Sequence, residues 1–243
     1  KILKKFRKKA CCLIIEPIQG CLPSESGEKY IKFLHNFCKK NKLILIFDEM
    51  ATALRVSCSS VQHKTRTPSD IIIFGKAFSG GLPIGAIGIS KRISKMIKKK
   101  NIHIFFGGTY TANSMSMYVG NQMLNYYTKN KKKIFDKLES ISTKFQNDIN
   151  NFIEENDIDA KVIRYHSILR LLFSKEYVEN RIQRDFLEKK SLSKAKKFKN
   201  FILSKNIYYP SNGIIFMSTS LTIKELHRSI KVFKEGLKKF FKK

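Results

Sequence analysis

Short unbroken apolar runs recur along the first part of the chain, separated by amphipathic or glycine-containing stretches. Residues 10–15, 43–47 (Leu-Ile-Leu-Ile-Phe) and 71–74 (Ile-Ile-Ile-Phe) are continuous and rich in β-branched side chains. Such runs predict strands buried on both faces. Between the first two, residues 26–41 place Tyr30, Phe33, Leu34, Phe37 and Cys38 at helical i, i+3, i+4, i+7, i+8 spacing, which predicts a helix. After residue 74 come a glycine-rich turn and a strand at 84–89; residues 102–106 read as a further strand or an extended segment. Strand–helix–strand alternation of this kind predicts an α/β layer with a mostly parallel sheet.

The pattern changes further on. Residues 112–130 and 131–155 read as helices, the second with a stripe of Ile134, Leu138, Ile141, Phe145, Ile149 and Phe152. Strands at 161–163, 168–174, 207–209 and 214–218 and helices at 191–204 and 223–241 follow. The last helix presents Leu226, Ile230, Phe233, Leu237 and Phe240. The expected division is a larger α/β domain over 1–134 and a small α+β domain over 135–243. No internal repeat is visible.

Composition modifies this picture little. The chain has 243 residues, 42% of them hydrophobic, enough for a packed core. Its 48 Lys+Arg against 19 Asp+Glu give a net charge of +29. That raises a nucleic-acid or anionic-membrane partner. The lysines fall largely in short runs such as Lys98–Lys100 and Lys131–Lys133, alongside much Ile, Asn and Phe. An A/T-biased genome explains that, and no nucleic-acid module is present, so no nucleic-acid partner is expected. Cys11, Cys12, Cys21, Cys38 and Cys58 lack zinc-like C-x-x-C pairing and fit a reduced, cytoplasmic chain. No apolar run approaches the roughly 20 residues that cross a bilayer, so no membrane association is expected. The basic start is followed by an apolar run that Glu16 and Pro17 end too early for a signal peptide. Lys1 rather than Met opens the chain, which reads as the continuation of something longer.

Two charged residues stand at the ends of the apolar runs. Asp48 closes the 43–47 strand, and Lys76 follows Phe74-Gly75. Inside such strands a charge is expensive, whereas the carboxyl ends of parallel strands face a crevice. An amine and a carboxylate so placed suit pyridoxal phosphate, which needs a lysine for its covalent bond and an acid to keep its ring nitrogen protonated. The bland alternatives are a solvated lysine and a helix-capping or surface acid. The five histidines show no metal-ligand spacing, and no metal is expected. No G-x-S-x-G, H-E-x-x-H or phosphate-loop motif occurs.

The surrounding residues sharpen the reading. Leu45-Ile-Phe-Asp48-Glu-Met50-Ala-Thr-Ala-Leu-Arg-Val56 resembles the strand-end segment of class III pyridoxal-phosphate aminotransferases. So do Pro68-Ser-Asp70-Ile-Ile-Ile-Phe-Gly75-Lys76 and Gly80-Gly-Leu-Pro-Ile-Gly-Ala86. Ile15-Glu-Pro-Ile-Gln-Gly20 upstream and Phe106-Gly-Gly108-Thr109-Tyr-Thr-Ala-Asn113 downstream agree in order. The nearest branch is the glutamate-1-semialdehyde 2,1-aminomutase-like one, and the resemblance is looser over the C-terminal part.

The resemblance implies a fold-type-I transferase and assigns roles. Lys76 would bond the cofactor and then move protons; Asp48 would pair with the ring nitrogen. Met50 would pack on a cofactor face, a core methionine being the equal alternative. Gly108 and Thr109 would reach the phosphate of a neighbouring subunit's cofactor, making a homodimer with a shared active site. Glu49 reads as structural support or a partner of Arg55, Glu16 and Gln19 as structural, and Asn113 as a helix cap. The family's N-terminal half, with its phosphate loop and ring-stacking aromatic, is not in this chain, so poor solubility without a partner is expected. Ala51 stands where many relatives carry a glutamine. The segment 208–218 lacks the acid that aminomutases have there, and no arginine near it offers a carboxylate clamp. The expected function is amino-group transfer on a small amino or keto substrate: glutamate-1-semialdehyde to 5-aminolevulinate, or a class III transamination. The alternatives are a transaminase acting on a keto-sugar or other small carbonyl compound, and a catalytically incomplete fragment or partner subunit.

Overall fold

The computed structural model describes residues 2–105 and 107–242 and resolves into two compact units. The first comprises residues 1–18 and 25–131, the second residues 19–24 and 132–243.

In the first unit, helix α1 (Ile2–Phe6) precedes strand β1 (Cys12–Ile15), helix α2 (Ser26–Asn41), strand β2 (Ile44–Asp48), a short helix α3 (Val61–Thr65), strand β3 (Ile71–Phe74), strand β4 (Ala86–Ile89) and helix α4 (Lys91–Lys99). The sheet order is β1-β2-β3-β4. Strands β1, β2 and β3 run parallel, with Leu13 beside Leu45 and Phe47 beside Ile72. Strand β4 is antiparallel to β3, pairing Ala86 with Phe74. Parallel neighbours need a crossover, which α2 supplies between β1 and β2. The chain from Phe74 to Ala86 instead turns straight back, and so must pair antiparallel.

The strands are less buried than their composition predicts. Leu45 and Phe47 are fully buried while Ile44 and Ile46 are half-buried, and Ile14 and Ile87 are exposed. An unbroken apolar run marks a strand that can be covered on both faces; within this unit α2 packs on β2 and the cover is unequal. The buried stripe of α2 is Ile31, Leu34 and Cys38, rotated from the expected face. Tyr30 and Phe33 are exposed, their rings 6.4 Å apart. Residues 102–105 form no strand, and Phe106 lies outside the described residues.

Helix α5 (Ser114–Glu155) carries a break at Asn130 (φ −111°, ψ 16°) where two helices were expected to meet. Its later part belongs to the second unit, where Ile134, Leu138, Ile141, Phe145, Ile149 and Ile153 are buried. The stripe ends on Ile153 rather than Phe152. The other elements are strands β5 (Lys161–Tyr165) and β6 (Ile168–Leu172), helices α6 (Arg181–Glu188) and α7 (Leu192–Ser204), strand β7 (Ile214–Phe216) and helix α8 (Ile223–Phe241). They build an antiparallel sheet β5-β6-β7. Helix α6 was not anticipated, and residues 207–209 are not a strand. Helix α8 opens with a capping box of Thr222 and Glu225. It buries Phe241, not Phe240, because Phe241 stacks on Phe173 at 4.6 Å. Phe198 sits at the centre of this core, edge-on to Phe233 at 5.5 Å and Tyr209 at 5.9 Å.

Candidate active site

Parallel register brings the two charged residues to one edge. Asp48, the last residue of β2, pairs with Ile73 of β3, and Lys76 begins the 3₁₀ turn Lys76–Ser79 just beyond that strand. The Glu49 N–H donates to the Ile73 carbonyl oxygen at 3.0 Å, which extends the pairing past Asp48. Asp48 is half-buried and Lys76 exposed. The crevice-facing placement follows from β-strand direction alone.

Asp48 Oδ1 accepts the Met50 N–H at 3.0 Å, which orients the carboxylate. The Met50 side chain lies against Gly75, where an added β-carbon would stand 2.9 Å from its Cε. Met50 thus packs on the backbone leading into Lys76.

The turn that carries Lys76 is held from within. Lys76 has φ +53°, a conformation rare for a side-chain-bearing residue. The buried Ser79 donates its hydroxyl to the Lys76 carbonyl oxygen at 3.1 Å, and its Oγ accepts the Gly81 N–H at 3.3 Å. Gly80 has φ +65° and faces α5, where a β-carbon would come within 2.6 Å of Met123 Cγ. Gly120 of α5 lets that helix close on Ile84 and the Phe78 carbonyl. Glycines on both sides therefore allow helix and loop to touch.

Glu49 is structural. Fully buried, its carboxylate accepts from Thr52 Oγ1 at 2.7 Å, Val61 N at 2.9 Å and Gln62 N at 2.8 Å. It thereby satisfies the first N–H groups of α3, which Ser60 also caps through the His63 N–H. Burial pushes the Glu49 carboxyl above its ordinary value, and the three hydrogen bonds pull it back. Arg55 donates to the Ala51 carbonyl oxygen at 3.0 Å.

Gly108 and Thr109 lie in an exposed turn before α5, with local contacts such as the Thr111 N–H to the Gly108 carbonyl oxygen at 3.0 Å. Asn113 accepts the Ser116 N–H through Oδ1 at 3.1 Å, the cap that its position before the helix predicts. Glu16, just past β1, is exposed.

Asp70, to which no role was assigned from sequence, ties the opposite edge of the sheet. Its Oδ2 accepts the Leu45 N–H at 3.0 Å, its own N–H donates to the Leu45 carbonyl oxygen at 2.8 Å, and its carbonyl oxygen accepts the Ser90 N–H at 2.8 Å. Arg92 donates from Nε to Oδ1 at 2.9 Å. Burial alone would raise the Asp70 carboxyl; the Arg92 and Leu45 hydrogen bonds and the charges of Arg92 and His35 bring it below its usual range. An acid directly before an apolar run was the available signal.

His35 Nδ1 meets the Pro68 carbonyl oxygen at 2.8 Å, and His166 Nδ1 meets Glu139 at 3.1 Å. No metal-holding cluster of His, Cys, Asp or Glu occurs among the described residues, and no helix among them is long and apolar enough to cross a membrane.

An α/β sheet with an amine and a carboxylate at adjacent parallel strand ends defines a class of site, and comparison with known proteins assigns the family. The chain belongs to the class-III aminotransferases, whose family model it matches over residues 1–197. It is 29% identical over 246 residues to glutamate-1-semialdehyde 2,1-aminomutase of Caldicellulosiruptor saccharolyticus, covering 100% of this chain and 56% of that protein. The chain thus spans about half the length of the curated relatives it matches. Its fold superposes on an omega-transaminase from Sphaerobacter thermophilus with TM-score 0.83, at 19% identity over 98% of this chain and 54% of the other. A glutamate-1-semialdehyde aminomutase from Pseudomonas aeruginosa in complex with PMP gives TM-score 0.82 at 13% identity, covering 95% and 52%.

Proposed function

We propose that this chain carries the lysine-bearing part of a pyridoxal-phosphate site performing amino-group transfer, with glutamate-1-semialdehyde to 5-aminolevulinate as the reaction. One observation supports it above the others: the register that sets Asp48 opposite Ile73 and so on the same sheet edge as Lys76. The donor set suits the cofactor. Asp48 has one oxygen occupied by Met50 N–H, leaving Oδ2 for a charged N–H, and Lys76 offers a solvent-accessible amine on a braced turn. Pyridoxal phosphate, when bound, supplies the electron sink.

Lys76 would hold the cofactor through its Nζ, and its amine would serve to move a proton on the substrate. Asp48 would hold the ring nitrogen by a charge-assisted hydrogen bond and favour its protonated form. Met50 limits the space beside the ring and backs Gly75. Gly108 and Thr109 belong to the phosphate grip of a second copy, so the proposal includes a homodimer. It also includes a cytoplasmic location, and residues 1–134 and 135–243 as the large-domain part and small domain.

The test is borohydride fixation of added pyridoxal phosphate on the purified chain, followed by peptide mass mapping, with Lys76→Ala as control. A reduced adduct on the peptide containing Lys76, absent from the control, is expected. Labelling spread evenly over surface lysines would overturn the site. Donor dependence then separates the two chemistries: a transaminase consumes an amino donor stoichiometrically, and the aminomutase consumes none.

A further inference from the structure

We propose that the second unit contains an anion site for the phosphate group of a small molecule, built by Arg170, Tyr209, Lys196 and Lys199 around Gly213. The proposal does not rest on the amino-group chemistry.

Arg170 lies on β6, all of whose residues are buried, paired with Ile214 of β7. A guanidinium in such a strand needs partners on every donor. Its terminal nitrogens have them: one donates to Glu188 Oε2 at 2.9 Å and the other to the Asn212 carbonyl oxygen. Its Nε has none among the described residues. Neither has the hydroxyl of Tyr209, although both residues are more than nine-tenths buried. Burial raises the Tyr209 phenol well above its ordinary value, so the hydroxyl keeps its proton at neutral pH and can donate it.

Gly213 lies against both side chains. At φ +72° it occupies the left-handed region, and a β-carbon there would lie 3.2 Å from Arg170 Nη1 and 3.3 Å from the Tyr209 hydroxyl. The missing side chain keeps the space between them open. That space belongs to a cleft of about 420 Å³, which Lys196 and Lys199 of α7 also line.

The chemistry of the lining selects the ligand. A phenolic O–H, an N–H of a guanidinium and two ammonium groups are all donors. The one carboxylate, Glu188, already accepts from Arg170 and, at 3.3 Å, from Phe173 N. Three cations against one anion leave a surplus that a dianion matches, and the volume suits a small molecule. A cation would be repelled, and an apolar ligand would leave the buried donors unpaired.

Calorimetric titration of the full chain with inorganic phosphate, in enough chloride to screen the general positive charge, tests this. Wild type should bind at one site. Tyr209→Phe, which removes one oxygen and keeps the ring, should bind about tenfold more weakly while melting no lower. Lys196→Ala with Lys199→Ala should weaken binding at least as much. Lys231→Ala with Lys238→Ala on α8, the same change of charge elsewhere, should leave it unaltered. Phosphate affinity unchanged in Tyr209→Phe, or reduced equally by both lysine pairs, would overturn the site. Displacement of phosphate by equimolar succinate would overturn its assignment to a phosphate group.

Discussion

The methyl carbon of Met50 lies 2.9 Å from the point where a β-carbon on Gly75 would stand. Met50, two residues after Asp48, thus occupies the space beside Gly75, the residue that precedes Lys76. Gly75 has φ 179°, extended backbone open to any residue, so only space speaks against a side chain there. Because the obstructing atom ends a flexible side chain, Gly75→Ala should cost only about 1 kcal/mol. Combined with Met50→Ala the penalty should shrink, a coupling that a double-mutant cycle in urea reads directly. Strict additivity would mean that the two residues do not touch in solution.

Asp48→Asn separates chemistry from architecture. The amide oxygen can still accept the Met50 N–H, so the melting temperature should stay within a few degrees. Loss of one charge-assisted hydrogen bond in the transition state should lower kcat/KM roughly 10- to 100-fold. An unchanged kcat/KM in the active assembly removes Asp48 from the ring nitrogen.

Asp70 predicts part of the acid sensitivity. Its carboxyl is depressed below the ordinary 3.8, so its stabilising contribution is present above that value and lost as pH falls through the folded one. Asp70→Asn should be less stable than wild type at neutral pH, and the gap should narrow on acidification. Unfolding midpoints between pH 2 and about 6 report this. A gap constant with pH would show that the Arg92 pair adds nothing.

Glu49 behaves in the opposite sense. Its folded carboxyl is raised above the ordinary 4.5, so the folded state holds the proton more tightly. Its contribution is largest below the unfolded value and declines as pH rises through the folded one. Glu49→Gln cannot titrate, and its NH₂ faces a backbone donor, so it should cost about 1–3 kcal/mol at neutral pH. In paired denaturation profiles the gap should widen towards acid, the reverse of Asp70. Equal stability of the two proteins would remove Glu49 from the start of α3.

Much of this was legible because it is local. The apolar runs ending at Ile15, Phe47 and Phe74 became β1, β2 and β3, and the helices at 26–41 and 223–241 fall where their periodicity puts them. Strand direction then dictates that Asp48 and Lys76 share an edge. The sequence by itself thus determined these strands and helices, their order and the family resemblance, because propensity and periodicity act within a few residues. It did not mark the short helix α6, and it suggested a strand at 207–209 that does not form. Only the tertiary structure decided which face each element buries: Ile31 rather than Tyr30, Ile153 rather than Phe152, Phe241 rather than Phe240. Burial depends on what covers a face, and a turn of 100° per residue makes adjacent apolar positions interchangeable until a partner chooses one. Tertiary structure likewise set β4 antiparallel, placed Asp70 across from Leu45, and brought Arg170 and Tyr209 to either side of Gly213. Those pairings join residues distant in the chain, where no local signal reaches.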